Sequence, residues 1–234
     1  MKKILITGGS GLLGSNLKND LMGKGYEVYA PTHQEMDITS RESLSCIIDK
    51  FKPEILIHCA AISKFDVAES RPMDTIEINI IGTCYITQEC MKSGIKLVYI
   101  STSHVFDGND GNYKFDDKIN PLTKYSKSKA AGEMASLICE NSLVIRTEFC
   151  GTEFPFETAF DDKYSSKEYI DLLIPRISEK CISNQLGICH VAGPRRSFYE
   201  FGKLRNPNVK RSSVYNLVKT SKIPILIDTS LVSN

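Results

Sequence analysis

Two kinds of hydrophobic pattern alternate along the first 145 residues of the chain. Short, mostly apolar runs that end in glycine, proline or a polar residue are typical of buried parallel strands. Apolar residues three and four positions apart are typical of amphipathic helices. Strands are predicted at residues 3–7, 27–30, 55–59, 96–100 and 142–145, and helices at 12–22, 41–51, 73–91 and 125–139. This alternation predicts an α/β fold with a doubly wound parallel sheet.

The pattern is weaker after about residue 147. Residues 153–164 are predicted to be irregular, 166–180 to be a helix, 187–191 a strand and 197–204 a short helix, with Pro207 and Pro224 in loops. We therefore expect a nucleotide-binding part over residues 1–150 and a small substrate-binding part over 151–234. The second part is predicted to fold onto the carboxyl edge of the sheet, where open α/β sheets bind ligands, so that the chain forms one unit.

Composition excludes several classes of function. The net charge of +1 gives no reason to expect a nucleic-acid partner, and no apolar run is long enough to cross a bilayer. The apolar stretch after Met1-Lys2-Lys3 is too short for a signal peptide. The eight cysteines form no CxxC pair, which argues against a metal site and favours buried thiols in the reducing cytoplasm.

A glycine-rich turn lies between the first predicted strand and the first predicted helix. Gly8, Gly11 and Gly14 are spaced as GxxGxxG. Glycines in this place allow a tight turn, a close approach of the backbone to a pyrophosphate, and close packing of helix on strand. The free N–H groups of the helix N-terminus favour a phosphate at the same point. The turn therefore predicts a Rossmann-type site for NAD or NADP, which includes Ser10, Leu12 and Leu13.

The end of the second predicted strand bears on the choice of cofactor. An acidic residue there commonly binds the ribose diol of NAD, but this chain has Thr32 and His33 after Pro31. Both side chains could accommodate a 2′-phosphate, which mildly favours NADPH, although His33 could equally be an exposed loop residue. Asp37 could cap the next helix or accept a hydrogen bond from the adenine amino group.

Tyr125 and Lys129 lie four residues apart, on the same face of a predicted helix. A tyrosine with its usual pKa of about 10 exchanges protons poorly near neutrality. A neighbouring ammonium favours the phenolate and is expected to lower that pKa. Tyr125 could then protonate a carbonyl oxygen, which Thr102, at the end of the preceding strand, could also bind.

The motifs taken together resemble the extended short-chain dehydrogenase/reductase superfamily, and most closely its dTDP-4-dehydrorhamnose reductase branch. The resemblance is nearly continuous over residues 1–150 and returns in fragments at 190–194, 199–201 and 228–231. Its motifs are Gly8 to Gly14, Met36-Asp37-Ile38-Thr39, Ala60-Ala61 with Phe65-Asp66-Val67-Ala68-Glu69, Asn79-Ile80-Ile81-Gly82-Thr83, and the segments 100–108, 121–133 and 144–147.

The resemblance implies that NAD(P)H reduces a 4-keto group on a nucleotide-linked deoxysugar. Tyr125 would be the acid, Lys129 its partner, and Thr102 a ligand of the substrate oxygen. The implied cofactor site adds Ile38, Ala60, Ala61, Ile62, Ser63 and Asn79 to the glycine turn. Asn79 would hold a backbone group or a water, or else face solvent from the middle of its helix. A homodimer is compatible with these features.

The chain departs from the family pattern at the predicted substrate site. The strand end that usually reads Ser-Thr-Asp-Tyr is Ser101-Thr102-Ser103-His104 here, and Phe149 follows Arg146-Thr147 where the family has tryptophan. We assign Ser103 and Phe149 to the substrate site and His104 to a pocket wall. The departures and a shortened segment 150–187 leave two alternatives: a non-catalytic NAD(P)-binding regulatory homologue, and an epimerase or reductase of another nucleotide sugar.

Overall fold

The apolar runs form one parallel sheet of six strands. The computed structural model of the chain describes residues 1–215 and 221–233. Its strands are β1 Lys3–Thr7, β2 Glu27–Tyr29, β3 Ile55–His58, β4 Lys96–Thr102, β5 Ser142–Thr147, β6 Phe149–Cys150, β7 Thr158–Phe160, β8 Tyr164–Ser165, β9 Glu168–Tyr169, β10 Gly187–His190, β11 Arg196–Ser197 and β12 Lys210–Ser212. The main sheet has the order β2-β1-β3-β4-β5-β10, and every neighbouring pair is parallel.

Helices cover both faces of this sheet. They are α1 Leu12–Gly23, α2 Arg41–Phe51, α3 Phe65–Ser70, α4 Pro72–Ile76, α5 Thr83–Ser93, α6 Lys124–Leu137, α7 Ile170–Ile182 and α8 Phe198–Lys203. None of the helices in the described ranges is long and apolar enough to span a membrane. The predicted fold class, a doubly wound parallel α/β sheet, is confirmed.

The core has one layer on each face of the sheet because successive strand residues point to opposite faces. Ile4 and Ile6 pack against α1 and α7, whereas Leu5 between them packs against α2 and α5. Strands buried on both faces explain why the sequence shows continuous apolar runs and little alternation. In the sheet, β2 lies on one side of β1 and β3 lies on the other. The strand order therefore reverses direction at β1, and sheets of this type bind ligands at such a switch point.

A helix lies where one was predicted over residues 73–91, but it is not a continuous α-helix. It begins at Pro72, ends at Ser93, and contains a π-helical segment over Glu77–Gly82 between α4 and α5. Hydrophobic spacing cannot reveal such a segment, because one extra residue per turn changes the pattern only locally. The helix α3 was not predicted as an element.

The predicted helix over residues 166–180 begins later, as α7 at Ile170. Residues before it are engaged in long-range pairing: Ser166 Oγ accepts the Leu231 N–H at 3.0 Å, and Glu168 pairs with Phe149 between β9 and β6. Tertiary hydrogen bonds therefore replace the first predicted turn of the helix. These pairings also connect the second half of the chain to the carboxyl edge of the sheet.

Candidate functional site

A cavity of about 520 Å³ follows the carboxyl ends of β1, β3, β4 and β5; we call it the main cavity. It extends from the glycine turn to Tyr125. The predicted site residues that line it are Gly8, Ser10, Gly11, Leu12, Leu13, Gly14, Ala60, Ala61, Ser63, Thr102, Tyr125, Lys129 and Phe149. Residues predicted separately as cofactor, catalytic and substrate groups are therefore brought together on one surface.

Backbone contacts shape the glycine turn. Gly8 has a φ of +68°, and a Cβ there would lie 2.7 Å from the Ala60 nitrogen. A Cβ on Gly14 would collide with the Gly8 carbonyl oxygen. Gly11 precedes α1 in an extended conformation without a side-chain cap, so the first N–H groups of the helix have no side chain bound to them. The turn is thus a close-fitting cradle beside a helix N-terminus.

A second, small cavity of about 110 Å³ adjoins the turn beside β2. His33, Asp37 and Ile38 line it, as predicted for a cofactor site. Asp37 does not cap α2, because Ser40 occupies the N-cap position, and the Asp37 carboxylate instead accepts hydrogen bonds from Thr39. Those bonds lower the pKa of Asp37, with the backbone N–H of Thr39 as the largest cause.

Thr32 lies outside the linings of both cavities. Its backbone N–H donates to the Glu35 carboxylate at 2.7 Å, and this bond holds the pKa of Glu35 below its usual value. Glu35 is the first acid that follows β2 in the sequence. The sequence search for an acid stopped at His33 and so did not include it.

The loop after β3 is fixed by Asn79 in the π-helical segment. Asn79 is 1% exposed, accepts the Ile62 N–H at 2.8 Å, and donates to the Ile62 carbonyl at 3.0 Å and to Ser128 Oγ at 2.9 Å. It therefore holds a backbone group and does not face solvent. Neither Asn79 nor Ile62 is part of a cavity lining, but together they position the loop residues that are.

The start of α6 places Tyr125 at the main cavity. Thr123 and Ser126 form a reciprocal capping box, in which Thr123 Oγ1 accepts the Ser126 N–H at 3.1 Å and Ser126 Oγ accepts the Thr123 N–H at 2.9 Å. Glu69 in α3 accepts the Lys124 N–H at 2.8 Å. The first turn of α6, and with it Tyr125, is held from two sides.

Burial controls the protonation of Tyr125. It raises the pKa of Tyr125 to about 12, because the loss of hydration of the phenolate outweighs the hydrogen bond from Thr102. The expectation of a pKa lowered by Lys129 is therefore wrong. The same burial lowers the pKa of Lys129 to about 8, although Glu133 and Cys59 act in the opposite direction. Tyr125 is a neutral proton donor at all moderate pH values.

Lys129 lies against a buried polar layer beneath the cavity. Its ammonium is 4.1 Å from the centre of the Tyr99 ring, a favourable cation–π distance. His58 bridges Thr7 and Thr83 at 2.7 and 3.0 Å. Burial and the charge of Lys129 lower the pKa of His58 to about 3, so this histidine remains neutral.

Sequence reasoning missed two charged residues of the main cavity, Glu148 and Lys167. Glu148 lies 3.2 Å from the Lys167 ammonium and accepts hydrogen bonds from Ser103 at 2.8 Å and Thr229 at 3.2 Å. Burial raises the pKa of Glu148, but Lys167, His104 and Ser103 together hold it well below its usual range. Glu148 is therefore ionised.

A signal for Glu148 was present in the sequence, since it follows a parallel strand at the ligand-binding edge. Lys167 has no such signal, because the pattern placed it in the first turn of a helix over residues 166–180, whereas α7 begins only at Ile170. Ser103, assigned to the substrate site, is fully buried beneath Glu148 and lies outside the cavity linings, whereas His104 lines the wall as predicted.

The fold and this site define a Rossmann-type protein with the Tyr/Lys arrangement of short-chain reductases. The chain matches the model of the RmlD substrate binding domain over residues 1–153 and belongs to that family. The resemblance to the dTDP-4-dehydrorhamnose reductase branch is thereby confirmed.

Individual relatives agree with this family. The dTDP-4-dehydrorhamnose reductase of Aggregatibacter actinomycetemcomitans is 38% identical over 157 residues, which is 66% of this chain and 53% of that protein. The methionine adenosyltransferase 2 subunit beta of Xenopus tropicalis is 33% identical over 143 residues, which is 58% of this chain and 43% of that protein. The match therefore spans about half the length of these relatives.

Structural similarity extends over the whole chain. The crystal structure of dTDP-4-dehydrorhamnose reductase from Bacillus anthracis, in complex with NADP, has a TM-score of 0.89 and 27% identity. The superposition covers 100% of this chain and 92% of that chain. The second half of the chain thus has the same fold as this reductase, although the sequence match to the family ends at residue 153.

Proposed function

We propose that this protein is an NAD(P)H-dependent reductase that acts on a 4-keto group of a nucleotide-linked deoxysugar. The observation that carries the proposal is the main cavity, which has the glycine cradle at one end and Tyr125, Lys129 and Thr102 at the other. Related proteins named dTDP-4-dehydrorhamnose reductase and dTDP-4-keto-6-deoxy-D-glucose reductase support this substrate class.

The residues present fit a dinucleotide. Because Gly8, Gly11 and Gly14 have no side chains, a ligand can approach the backbone of the turn closely. The adjacent N-terminus of α1 suits a pyrophosphate. His33 and Asp37 in the small cavity would contact the adenosine half. We favour NADPH because His33 lines this cavity four residues after β2, where it could accommodate a 2′-phosphate. When bound, NAD(P)H supplies the hydride that reduces the ketone.

The residues at the other end of the cavity handle the proton. Tyr125 stays protonated because its pKa is raised to about 12, so it can donate to the carbonyl oxygen as negative charge develops there. The Thr102 hydroxyl, which lines the same end of the main cavity as Tyr125, is placed to donate to the same oxygen. Lys129 lies one helical turn from Tyr125, so its ammonium would offset part of the negative charge that Tyr125 acquires after the transfer, against the larger effect of burial.

Turnover of a defined substrate tests the proposal. The oxidation of NADPH and of NADH would be followed by absorbance with a panel of 4-keto nucleotide sugars generated in the assay. We expect turnover with at least one sugar and a lower KM for NADPH than for NADH. Tight binding of cofactor without turnover of any sugar in the panel would contradict the reductase function.

A non-catalytic NAD(P)-binding subunit is the second candidate. Several relatives at 33% identity are named methionine adenosyltransferase 2 subunit beta, and this chain has Ser103-His104 where the reductase pattern has Asp-Tyr. A subunit of this kind does not use Tyr125 for proton transfer. Tyr125→Phe would then leave its regulatory effect on a partner protein unchanged. An epimerase is less well supported, because the structures with that name are at most 19% identical and share the fold alone.

We further propose that the protein acts in the cytoplasm, without a nucleic-acid or membrane partner, and that it can form a homodimer. All eight cysteines are free thiols, as expected in a reducing compartment. Met91 in α5, Met134 in α6 and Ile138 directly after α6 are about half exposed or more and would be covered by a second copy. Sedimentation velocity at micromolar concentration would distinguish dimer from monomer.

A further inference from the structure

The imidazole of His104 lies in the wall of the main cavity, two residues after Thr102. Both residues belong to one tight turn, because the Thr102 hydroxyl accepts the His104 N–H at 3.2 Å and caps a short 3₁₀ turn over Ser103–Val105. This bond uses the Thr102 oxygen as an acceptor, so its hydroxyl hydrogen remains available for a ligand. The turn therefore holds His104 beside the residue that we expect to bind the ketone oxygen.

The Phe65 ring lies between His104 and the proton donor. It contacts Tyr125 and His104 edge-on, at centroid distances of 5.1 and 5.0 Å. All three side chains line the main cavity. A ketone that binds to Tyr125 and Thr102 would therefore share its compartment with an imidazole.

The two ring nitrogens of His104 are not committed to the fold. Within the part of the chain that the structure describes, the buried Nδ1 has no hydrogen-bond partner. Nε2 lies 3.8 Å from the Glu148 carboxylate, which is too long for a strong hydrogen bond. His58, by contrast, has hydroxyl partners at 2.7 and 3.0 Å on its two nitrogens. A buried polar group left unpaired calls for a functional explanation, and Nε2, beside a cavity-lining carboxylate, is the nitrogen that a ligand can reach.

The Glu148 carboxylate favours a positive charge on this imidazole. Glu148 is buried, its side chain accepts hydrogen bonds from Ser103 and Thr229, and Lys167 lies 3.2 Å away. Because its oxygens are occupied in this way, Glu148 is not itself a free base. In surroundings of low polarity, a carboxylate 3.8 Å from Nε2 stabilises the imidazolium that forms when His104 takes up a proton.

We propose that His104 is a second acid–base group, which removes the proton from the carbon next to the bound ketone and returns it. Histidine is the side chain most often used for such transfers. This activity rests on the proposed function, because it assumes a ketone at Tyr125 and Thr102. Glu148 acts as a positioning residue.

The transfer is an enolisation. The Nε2 lone pair takes the proton, the electrons of the broken C–H bond form a carbon–carbon double bond, and the carbonyl π electrons move onto the oxygen. Hydrogen bonds from Tyr125 and Thr102 would stabilise that oxygen. The His104 side chain is 14% exposed, so the imidazolium can exchange its proton with water before the step reverses. The result is hydrogen exchange at carbon, which needs neither an oxidant nor a reductant.

Deuterium exchange tests this activity apart from hydride transfer. The probes are dTDP-4-keto-6-deoxy-D-glucose and its UDP analogue, each purified away from the enzyme that forms it. They are incubated in D₂O with the protein and NADP⁺, which fills the cofactor site but carries no hydride. Proton NMR follows the C3 and C5 signals, and the rate in buffer alone is subtracted. We expect wild-type protein to exchange one of these hydrogens clearly faster than buffer.

Two variants assign the exchange to the imidazole and its carboxylate. His104→Gln should lower the exchange rate by about 10²-fold or more, because the base is lost. Its affinity for NADPH should stay within a few-fold of wild type, which would show that the variant folds. Glu148→Gln should lower the rate by about tenfold, as expected for one unit of pKa. Tyr215→Phe, at an exposed position outside the main cavity lining, is the control.

Exchange no faster than in buffer with either sugar, or equal exchange by His104→Gln and wild type, would overturn the assignment of His104. The two proposals can fail separately. Exchange by wild-type protein that reduces neither sugar with NADPH would leave the assignment intact and contradict the reductase function. Reduction without exchange would have the opposite meaning.

Discussion

At the scale of single residues, the chemistry depends on how burial sets protonation. The same low-polarity surroundings act in opposite directions on the two groups of the Tyr/Lys pair, because they disfavour whichever form is charged. The pKa of Tyr125 rises to about 12, and the pKa of Lys129 falls to about 8. A spacing of four residues places the pair on one helix face but does not reveal these shifts.

Tyr125→Phe tests the assigned proton donor. Removal of the hydroxyl should lower kcat by roughly 10²–10⁴-fold, because the carbonyl oxygen loses its acid. The Kd for NADPH should change by no more than a few-fold, since the ring remains. Tyr215→Phe is the control, because Tyr215 is 66% exposed and does not line the main cavity. Activity of the Tyr125 variant within tenfold of wild type would remove this residue from the role.

The pH dependence of turnover tests the charge on Lys129. Its pKa is about 8, so the ammonium is lost as pH rises through that value, and kcat should decline on the alkaline side. Tyr125, with a pKa of about 12, remains protonated over the same range. An arginine at position 129 stays charged, so the decline should be absent in whatever activity Lys129→Arg retains. A wild-type profile that is flat from pH 7 to 9.5 would contradict this account.

At the scale of elements, the π-helical segment over Glu77–Gly82 links the loop after β3 to helix α6. Asn79 uses its whole amide group for this purpose, with two bonds to Ile62 and one to Ser128. Ser128 in turn donates to the Tyr125 carbonyl at 2.7 Å. An irregular helix thus connects the two ends of the site.

Asn79→Ala should disrupt this link. Loss of the amide leaves buried backbone groups without partners, and the free energy of unfolding should fall by about 2–4 kcal/mol. NADPH affinity should fall as well, because the Ile62 loop loses its anchor. Urea unfolding and nicotinamide fluorescence would measure the two effects. Gln88→Ala, at an exposed position of α5, is the control and should change neither.

At the scale of the whole molecule, two buried histidines make folding sensitive to acid. Burial lowers the pKa of His58 to about 3 and that of His190 to about 4. The unfolded chain has histidine pKa values of about 6.5, so it takes up protons below that pH that the folded chain does not. The free energy of unfolding therefore falls as pH falls from about 6.5.

At pH 4 each of these two histidines should lower the free energy of unfolding by on the order of 3 kcal/mol relative to its value above pH 6.5. Urea unfolding at a series of pH values would measure this slope. His58→Asn should reduce the slope by about one proton. An equal slope in wild type and the His58 variant would show that His58 is not the titrating group.

Cofactor binding should stabilise the whole chain, because the cradle at Gly8, Gly11 and Gly14 exists only in the folded protein. NADPH at a hundred times its Kd should raise the free energy of unfolding by about 2.7 kcal/mol. Gly11→Val should fold, since Gly11 has a φ of −75° that valine accepts, but its side chain would occupy the cradle. The stabilisation by NADPH should disappear in that variant, and its persistence would place the cofactor elsewhere.

The periodicity of the sequence was sufficient to predict the strands of the main sheet and most of its helices, because strands buried on both faces need continuous apolar runs. Gly8 to Gly14 and the Tyr125/Lys129 pair were also recognisable, since each depends on local spacing within one turn or one helix. The π-helical segment and α3 were not recognisable, because local patterns do not distinguish them from a continuous helix or a loop.

By itself, then, the sequence determined the doubly wound fold, the glycine turn and the spacing that places Tyr125 and Lys129 on one helix. Only the tertiary structure decided the direction of their pKa shifts and the charged wall of Glu148 and Lys167. Glu148 meets Thr229 from 81 positions away, and Lys167 reaches it from the stretch that precedes α7. Such contacts depend on how distant segments pack, and packing also determines burial, so neither leaves a pattern in the neighbouring residues.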